Sequence, residues 1–346
     1  MNDVFDIIKN HSGPRFIYGT GDGADKLIDY LETLGIKPDG ICVSDEFYRE
    51  RKFRDFTVKP ISVLADENKN ALFLMAFGTK QTDQIFSLSE KLNLVYPEMP
   101  VCGTKPFSKE VASLDKNDIE TAFSLLADDD SKKVFENIIN FRLSGNISYL
   151  KECESEASEG YKLILQNEEE TIFDCGAYKG DTADEFFMYS SVKDFYAAEP
   201  CPKNFEKLKD KYSKYHLFNC AVGKEIGEAD FIFNRGRGST ILIDEKATGK
   251  TKKIPISTVD ELIQGQPCTV IKYDVEGNEA DALFGSIDTI KKHHPNLLVA
   301  AYHKPEDIYK IPLIINSISK NYKIYLRHLP CLPSWETNVY AVYKKR

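Results

Sequence analysis

Apolar runs that stop at a glycine turn, each followed by a segment of helical spacing, recur along this chain and predict strands alternating with helices. The first run, Arg15-Phe-Ile-Tyr18, leads into Gly19-Thr-Gly-Asp-Gly-Ala24. Ala24, Leu27, Ile28, Leu31 and Leu34 then share one helical face, with Gly35 as the stop. Further strands are expected at Gly40–Asp45, Ala71–Phe77 and Asn93–Tyr96. This order gives a parallel α/β sheet, so residues 1–106 are expected to form a small Rossmann-like domain.

From 107 to 160 the strand signals vanish and a helical linker region is expected. Ile119, Ala122, Phe123 and Leu126 recur at helical spacing, as do Val134, Phe135, Ile138 and Ile139 after the acidic start Asp128-Asp-Asp-Ser131. Acids suit that end of the helix dipole, and a metal reading is not needed there. Lys151–Gly160 is acidic and polar and reads as linker.

Residues 161–346 repeat the strand and helix alternation. Strands are expected at Thr171–Asp174, Asp194–Ala198, His216–Val222, Thr269–Asp274 and Asn296–Tyr302, with short ones at Ala229–Phe233 and Lys253–Ile256. Lys323–Leu326 and Val339–Tyr343 read as antiparallel edge strands.

The chemistry concentrates at the ends of these strands. Thr171-Ile-Phe-Asp-Cys-Gly-Ala-Tyr-Lys-Gly-Asp-Thr182 is a strand, a glycine loop and a helix start, and the next strand ends at Glu199. A carboxylate there suits the two hydroxyls of a ribose, so the unit is a nucleoside-cofactor site. An open sheet binds its ligand across the carboxyl ends of its strands, which gathers Asp174, Glu199, Asn219 to Val222, Asp274 and His303 into one crevice. Acids flank the loop at Asp174 and Asp181. They would repel the diphosphate of NAD and suit the sulfonium and ammonium of S-adenosylmethionine. Gly19-x-Gly21-x-x-Ala24 with Asp45 also matches a dinucleotide fingerprint, either as a nucleotide or sugar-nucleotide pocket or as a tight strand-to-helix turn.

Composition narrows the classes. The formal charge is −9, which disfavours nucleic acid and anionic lipid as partners. Ala71–Phe77, the longest apolar run, is far short of the roughly 20 residues of a membrane helix. The first residues show no basic stretch followed by an apolar one. The eight cysteines include no C-x-x-C pair and read as reduced thiols of a cytoplasmic protein.

The second half resembles the FkbM-type class I methyltransferases. The likeness rests on Phe173-Asp-Cys-Gly-Ala-Tyr-Lys-Gly-Asp-Thr182, Glu199-Pro200, Asn219-Cys-Ala-Val-Gly223, Ser257-Thr-Val-Asp-Glu-Leu262 and above all Ile271-Lys-Tyr-Asp-Val-Glu-Gly277. It implies a seven-stranded sheet with a reversed last strand, and methyl transfer to a hydroxyl of a sugar or natural product. By that likeness Asp174, Gly176 and Thr182 hold the methionine end, Glu199 takes the ribose, and Ala221 and Val222 flank the adenine. Ala177, Gly180, Pro200 and Asn219 fall within the same matched motifs. The first half resembles, more loosely, the small Rossmann-like domains of sugar and surface-polysaccharide biosynthesis enzymes.

On the acceptor side, Asp274 and Glu276 close one strand and His303 the next, and each is a candidate base for the acceptor hydroxyl. Arg235 and Arg237, in a glycine-rich loop, would hold an anionic acceptor. Trp335, with Pro330, Pro333 and His328, would wall a sugar pocket. No metal site is expected. His293-His294 precede Pro295 at a helix end, and Asp274 shows no second oxygen ligand at a readable spacing.

The expected protein is thus α/β, with two Rossmann-like domains joined by a helical segment. It would be a cytoplasmic S-adenosylmethionine-dependent O-methyltransferase acting on a saccharide, with a small-molecule or glycan acceptor; a homodimer is allowed for. The competing readings are an NAD-dependent oxidoreductase of nucleotide sugars and a non-catalytic S-adenosylmethionine-binding module.

Overall fold

A computed structural model describes residues 3–233, 240–241 and 250–344. The first strands are β1 (Arg15–Tyr18), β2 (Gly40–Val43), β3 (Lys52–Phe53), β4 (Phe56–Pro60), β5 (Leu72–Met75) and β6 (Leu94–Val95). They form one sheet in the order β3-β4-β2-β1-β5-β6, parallel except for the β3–β4 hairpin. The turn after β1 enters the helix Asp22–Thr33. A Cβ on Gly23 would lie 2.6 Å from the Ala76 carbonyl oxygen, and one on Gly19 would lie 3.2 Å from the Phe77 ring. Close approach to the end of β5 therefore accounts for both glycines. Asp45 opens a short 3₁₀ turn and accepts from Ser62 N (3.2 Å).

The middle of the chain is helical: Lys109–Leu114, Lys116–Leu125, Asp129–Ser144, Ser148–Glu152 and Ala157–Ile164. Asp128 caps the third of these through Ser131 N (2.8 Å) and also binds Arg327 (2.7 Å), so the acidic start is tied down rather than merely solvated. Lys151–Gly160 is not a linker. Exposed Glu152 and Glu159 lie on two short helices, Glu154 bridges to His328 between them, and Tyr161 and Ile164 of the second helix are buried. Gly160 fits there because a Cβ would stand 2.3 Å from the Tyr340 ring.

The second half supplies β7 (Glu170–Cys175), β8 (Val192–Ala198), β9 (His216–Phe218), β10 (Ala221–Val222), β11 (Gly227–Phe233), β12 (Thr240–Ile241), β13 (Lys250–Ser257), β14 (Val270–Tyr273), β15 (Asn296–Ala300), β16 (Tyr322–His328) and β17 (Thr337–Tyr343). Seven of them form a sheet in the order β16-β17-β15-β14-β7-β8-β9, in which β17 runs against its neighbours. The expected seven-stranded sheet with a reversed last strand is present. Strands β14 and β15 are buried along their length, as strands covered on both faces and mostly apolar are, with Lys272 the one charged residue within them. The chain crosses sides between β7 and β14, so the crevice at their carboxyl ends is the switch point of the fold.

Two strand expectations need correction. His216–Val222 is not one strand. The chain turns at Asn219, whose side chain donates to the Glu199 carbonyl (2.8 Å), so β9 stays in the large sheet while β10 joins a small one, ordered β10-β13-β11-β12. Nor is β17 an edge; it lies between β15 and β16. Strand β16 is the edge, and isolated bridges from Leu126 and Glu154 partly cover it.

His328 lies in that covered strand, fully buried, with Nδ1 3.0 Å from Thr337 Oγ1. It does not wall an open pocket. Burial pushes its titration down from 6.5 to about 3. Unfolding therefore takes up a proton between those values. Stability is complete above the unfolded pKa and falls with pH below it, by about 1.4 kcal/mol per unit. Between about pH 7.5 and about pH 5, His328→Gln should lose about 2 kcal/mol less than the parent in urea unfolding. Equal losses would mean that His328 is not buried neutral. Among the described residues no helix is long and apolar enough to cross a membrane.

Candidate active site

Strand β7 delivers Asp174, fully buried, into the switch-point crevice. The backbone then turns sharply through Gly176 (φ +85°), Tyr178 (φ +49°) and Gly180 (φ +87°) into the helix Asp181–Tyr189. Only glycine fits at 176, because a Cβ would stand 1.9 Å from the carbonyl oxygen of Asp274. A Cβ on Gly180 would stand 2.5 Å from the Tyr212 ring. These glycines let the loop pack against its neighbours.

Four of the loop amides are committed within the protein. Gly176 N and Ala177 N donate to the Ala198 carbonyl (2.9 and 3.1 Å), and Gly180 N donates to the Ala177 carbonyl (2.8 Å). Tyr178 N donates to Glu199 Oε2 (2.9 Å). A diphosphate cradle needs such groups free, so this loop is built for a different ligand.

Glu199 directly follows β8, 5% exposed, and its Oε1 also accepts from Cys201 N (2.8 Å) and more distantly from Asn204 Nδ2 (3.5 Å). Burial pushes its carboxyl up to about 7. A carboxylate offers about four acceptor positions, so capacity remains for hydroxyl donors. Pro200 is half-buried and Asn219 exposed, and Asn219 Nδ2 also reaches the Pro200 carbonyl (3.3 Å). Ala221 and Val222 are buried in β10, and Thr182 is half-buried in the first turn of its helix.

Lys272, which the sequence reading passed over, lies beside Asp174 in the β14–β7 register. Its Nζ is 3.1 Å from Asp174 Oδ1 and 3.5 Å from Asp274 Oδ2. Burial works against its charge, but the two carboxylates outweigh that and it holds its proton. Asp174 therefore does not present the bare negative charge that counting acids suggested. Its Oδ2, buried and without a hydrogen-bond partner, is what remains for a cationic ligand.

The acceptor-side residues do come together. His303 follows β15 and is 2% exposed. Its Nε2 is 3.5 Å from both Asp274 Oδ1 and Glu276 Oε2, and its Nδ1 is 2.9 Å from Glu279 Oε1. Burial lowers the affinity of this imidazole for its proton, but Glu279, Glu276 and Asp274 reverse that and raise its titration to about 10. His303 thus holds its proton at neutral pH, which argues against it as the base. Burial pushes Asp274 up as well, but Lys272 and His303 outweigh it and hold this carboxyl below its ordinary value. Glu276 sits at φ +52° with its side chain 29% exposed, and burial raises its carboxyl to about 7. Glu279, five positions beyond Asp274, supplies the oxygen that the sequence did not show. The turn Asp274–Gly277 brings it back, since Val275 N and Gly277 N both donate to Glu279 Oε1 (2.9 and 3.3 Å).

The first half of the chain closes this side. Cys102 N donates to the His303 carbonyl (2.9 Å), and its thiol donates to the Glu276 carbonyl (3.2 Å). Lys26 Nζ holds the adjoining Val101 carbonyl (2.9 Å). Trp335 is half-buried with its ring against Gly78, where a Cβ would stand 2.1 Å from it. Much of its face is therefore spent on the first half, and Gly78→Ala should displace it. Loss of at least half the native Trp335 emission shift on unfolding, at unchanged far-UV CD, would register that; an unchanged spectrum would contradict the packing. Arg235 and Arg237 lie outside the described residues.

A cleft of about 630 Å³ opens at the other ends of the strands, among Asn167, Thr269, His293, His294 and Asn296. Strand amino ends are not where open α/β sheets place chemistry. The two histidines are engaged there, His294 stacked on Tyr343 (4.1 Å) and His293 Nε2 3.1 Å from the Gly265 carbonyl.

Residues 174–323 match the family model for the methyltransferase FkbM domain. Among solved structures the chain is similar to a methyltransferase FkbM from Methylobacillus flagellatus, at 20% identity and a TM-score of 0.69, over 97% of this chain and 92% of that one. That likeness is one of fold. Looser matches are a fibrillarin from Aeropyrum pernix with natively bound S-adenosyl-L-methionine (14% identity, 50% of this chain, 66% of that one, TM-score 0.30) and an rRNA methylase from Streptococcus thermophilus (11%, 55%, 95%, 0.36). No curated protein matches the sequence.

Proposed function

We propose that this chain, whose residues 174–323 match the methyltransferase FkbM domain, is an S-adenosylmethionine-dependent methyltransferase that methylates a hydroxyl of a saccharide or sugar-containing metabolite. The observation that carries the cofactor reading is the glycine loop, four of whose amides are already spent, set between two buried carboxylates. That donor set fits a phosphate-free cation bearing a ribose. Asp174 Oδ2 and the loop through Gly176, Ala177, Gly180 and Thr182 would hold the amino-acid end. Glu199 would take the ribose, and Pro200, Asn219, Ala221 and Val222 would border the base. When bound, S-adenosylmethionine supplies a methyl group on a sulfonium, a leaving group that keeps the C–S electron pair.

The chain's own work is then placement and proton transfer. The acceptor oxygen must be held about 3 Å from the methyl carbon. Its lone pair forms the new C–O bond, and its proton needs a base. Glu276 fits that role: it is partly exposed, strained at positive φ and next to Asp274. Asp274 and His303 would position the acceptor. Trp335 offers the remainder of its face to a sugar ring, and Arg235 and Arg237 would meet an anionic acceptor. A cytoplasmic setting accords with eight free cysteines.

Incubation with S-adenosylmethionine and a panel of free and nucleotide-linked saccharides should give a product heavier by one methylene, with the methyl on oxygen. Glu276→Gln should slow turnover by about 10²–10⁴-fold. Methyl on nitrogen or carbon, or an unimpaired Glu276→Gln, would overturn this reading.

A further inference from the structure

We propose that Asp274, Glu279 and His303 form a binding site for one divalent cation beside the acceptor. One ligand atom from each of these residues lies within 4.8 Å of the others. The three come from the residue after β14, the helix Glu279–Phe284 behind it and the third residue past β15, so the fold itself brings them together. The separation of His303 Nε2 from Asp274 Oδ1, 3.5 Å, is long for a hydrogen bond. It is close to the spacing of two ligands that each sit about 2.1 Å from a shared metal.

An independent observation comes from Glu279. The residue is 1% exposed, and its Oε2 is buried without a hydrogen-bond partner. Its other oxygen is fixed by two backbone amides, so the carboxylate cannot turn away to find one. An orphaned buried carboxylate oxygen is costly, and a cation satisfies it. The charges agree. Asp274, Glu276, Glu279 and Asp307 converge around His303, with Lys272 already shared between Asp174 and Asp274. Two carboxylates and one imidazole suit manganese, magnesium or zinc, the cation displacing the proton of His303 Nε2 while Nδ1 stays on Glu279 Oε1, with positions left for water and a hydroxyl oxygen. Tyr302, whose hydroxyl reaches Asp274 Oδ1 (3.4 Å), would steady that ligand. The binding site stands on geometry alone. Its use, polarising the acceptor hydroxyl as a Lewis acid, rests on the methyl-transfer reading.

The test is a calorimetric and paramagnetic-resonance titration of chelator-treated protein with Mn²⁺. One saturable site is expected in the parent and in Asp281→Asn, an exposed acid on the same helix. His303→Gln and Glu279→Gln should each bind at least about tenfold more weakly. Far-UV CD checks that each variant is folded, and either folded variant suffices. No saturable binding by the parent, or equal affinity in all folded variants, would overturn the site. S-adenosylhomocysteine titrations on the same samples separate the two readings. Manganese binding without S-adenosylhomocysteine binding would overturn the cofactor assignment and leave the cation site standing, and the reverse would do the opposite.

Discussion

Replacing Lys272 with methionine should destabilise the protein by about 3–5 kcal/mol, because it leaves a fully buried carboxylate with no cation. Asp174 is 0% exposed, and Lys272 Nζ is the partner of its Oδ1 at 3.1 Å. Methionine keeps most of the stem, so the loss reports charge rather than volume. The double variant Asp174→Leu with Lys272→Met should recover much of the stability, since removing both ends of a buried pair costs little. It should not recover cofactor binding, because Asp174 is gone. Urea unfolding of the four proteins in the cycle measures this. If Lys272→Met alone costs less than about 1 kcal/mol, the pair is open to water and the account of Asp174 is wrong.

Gly176→Ala is expected to be comparably damaging, at about 3 kcal/mol or more. The position sits at φ +85°, where an L side chain is strained. Its Cβ would also overlap the Asp274 carbonyl oxygen at 1.9 Å, and that oxygen is backbone and cannot swing aside. Any relief separates β7 from the Asp274 turn, so the cofactor loop and the acceptor carboxylates shift together. Gly21→Ala is the control. Its φ is −118°, and a Cβ there meets nothing within 4 Å, so it should change stability by less than about 0.5 kcal/mol. Thermal melts of both, with S-adenosylhomocysteine titrations, should show Gly176→Ala losing stability and binding while Gly21→Ala keeps both.

What could be read from the sequence follows from periodicity. Strands β7, β14 and β15 are apolar runs bounded by glycine, proline or acid, and a strand buried on both faces must look like that. The acids at their ends stood out because they interrupt such runs. Contacts between halves left no such mark. Cys102 and Glu276 are 174 positions apart and carry no periodic signal of their pairing. Lys272 was legible in principle, since a lysine inside a buried strand must have a partner, and the strand register places it against Asp174. Glu279 was hidden because an acid in the first turn of a helix looks like an ordinary dipole-favoured residue. Lys151–Gly160 misled for the opposite reason. Short helices with acidic outer faces have too few turns for their buried positions to show a period.

The central claim is that the crevice between the glycine loop and Glu199 receives S-adenosylmethionine. Calorimetric titration with S-adenosylhomocysteine tests it most directly. The account predicts one site per chain, weakened by about 1–3 kcal/mol in Glu199→Ala. No binding by the folded parent, or undiminished affinity in that variant, would contradict it.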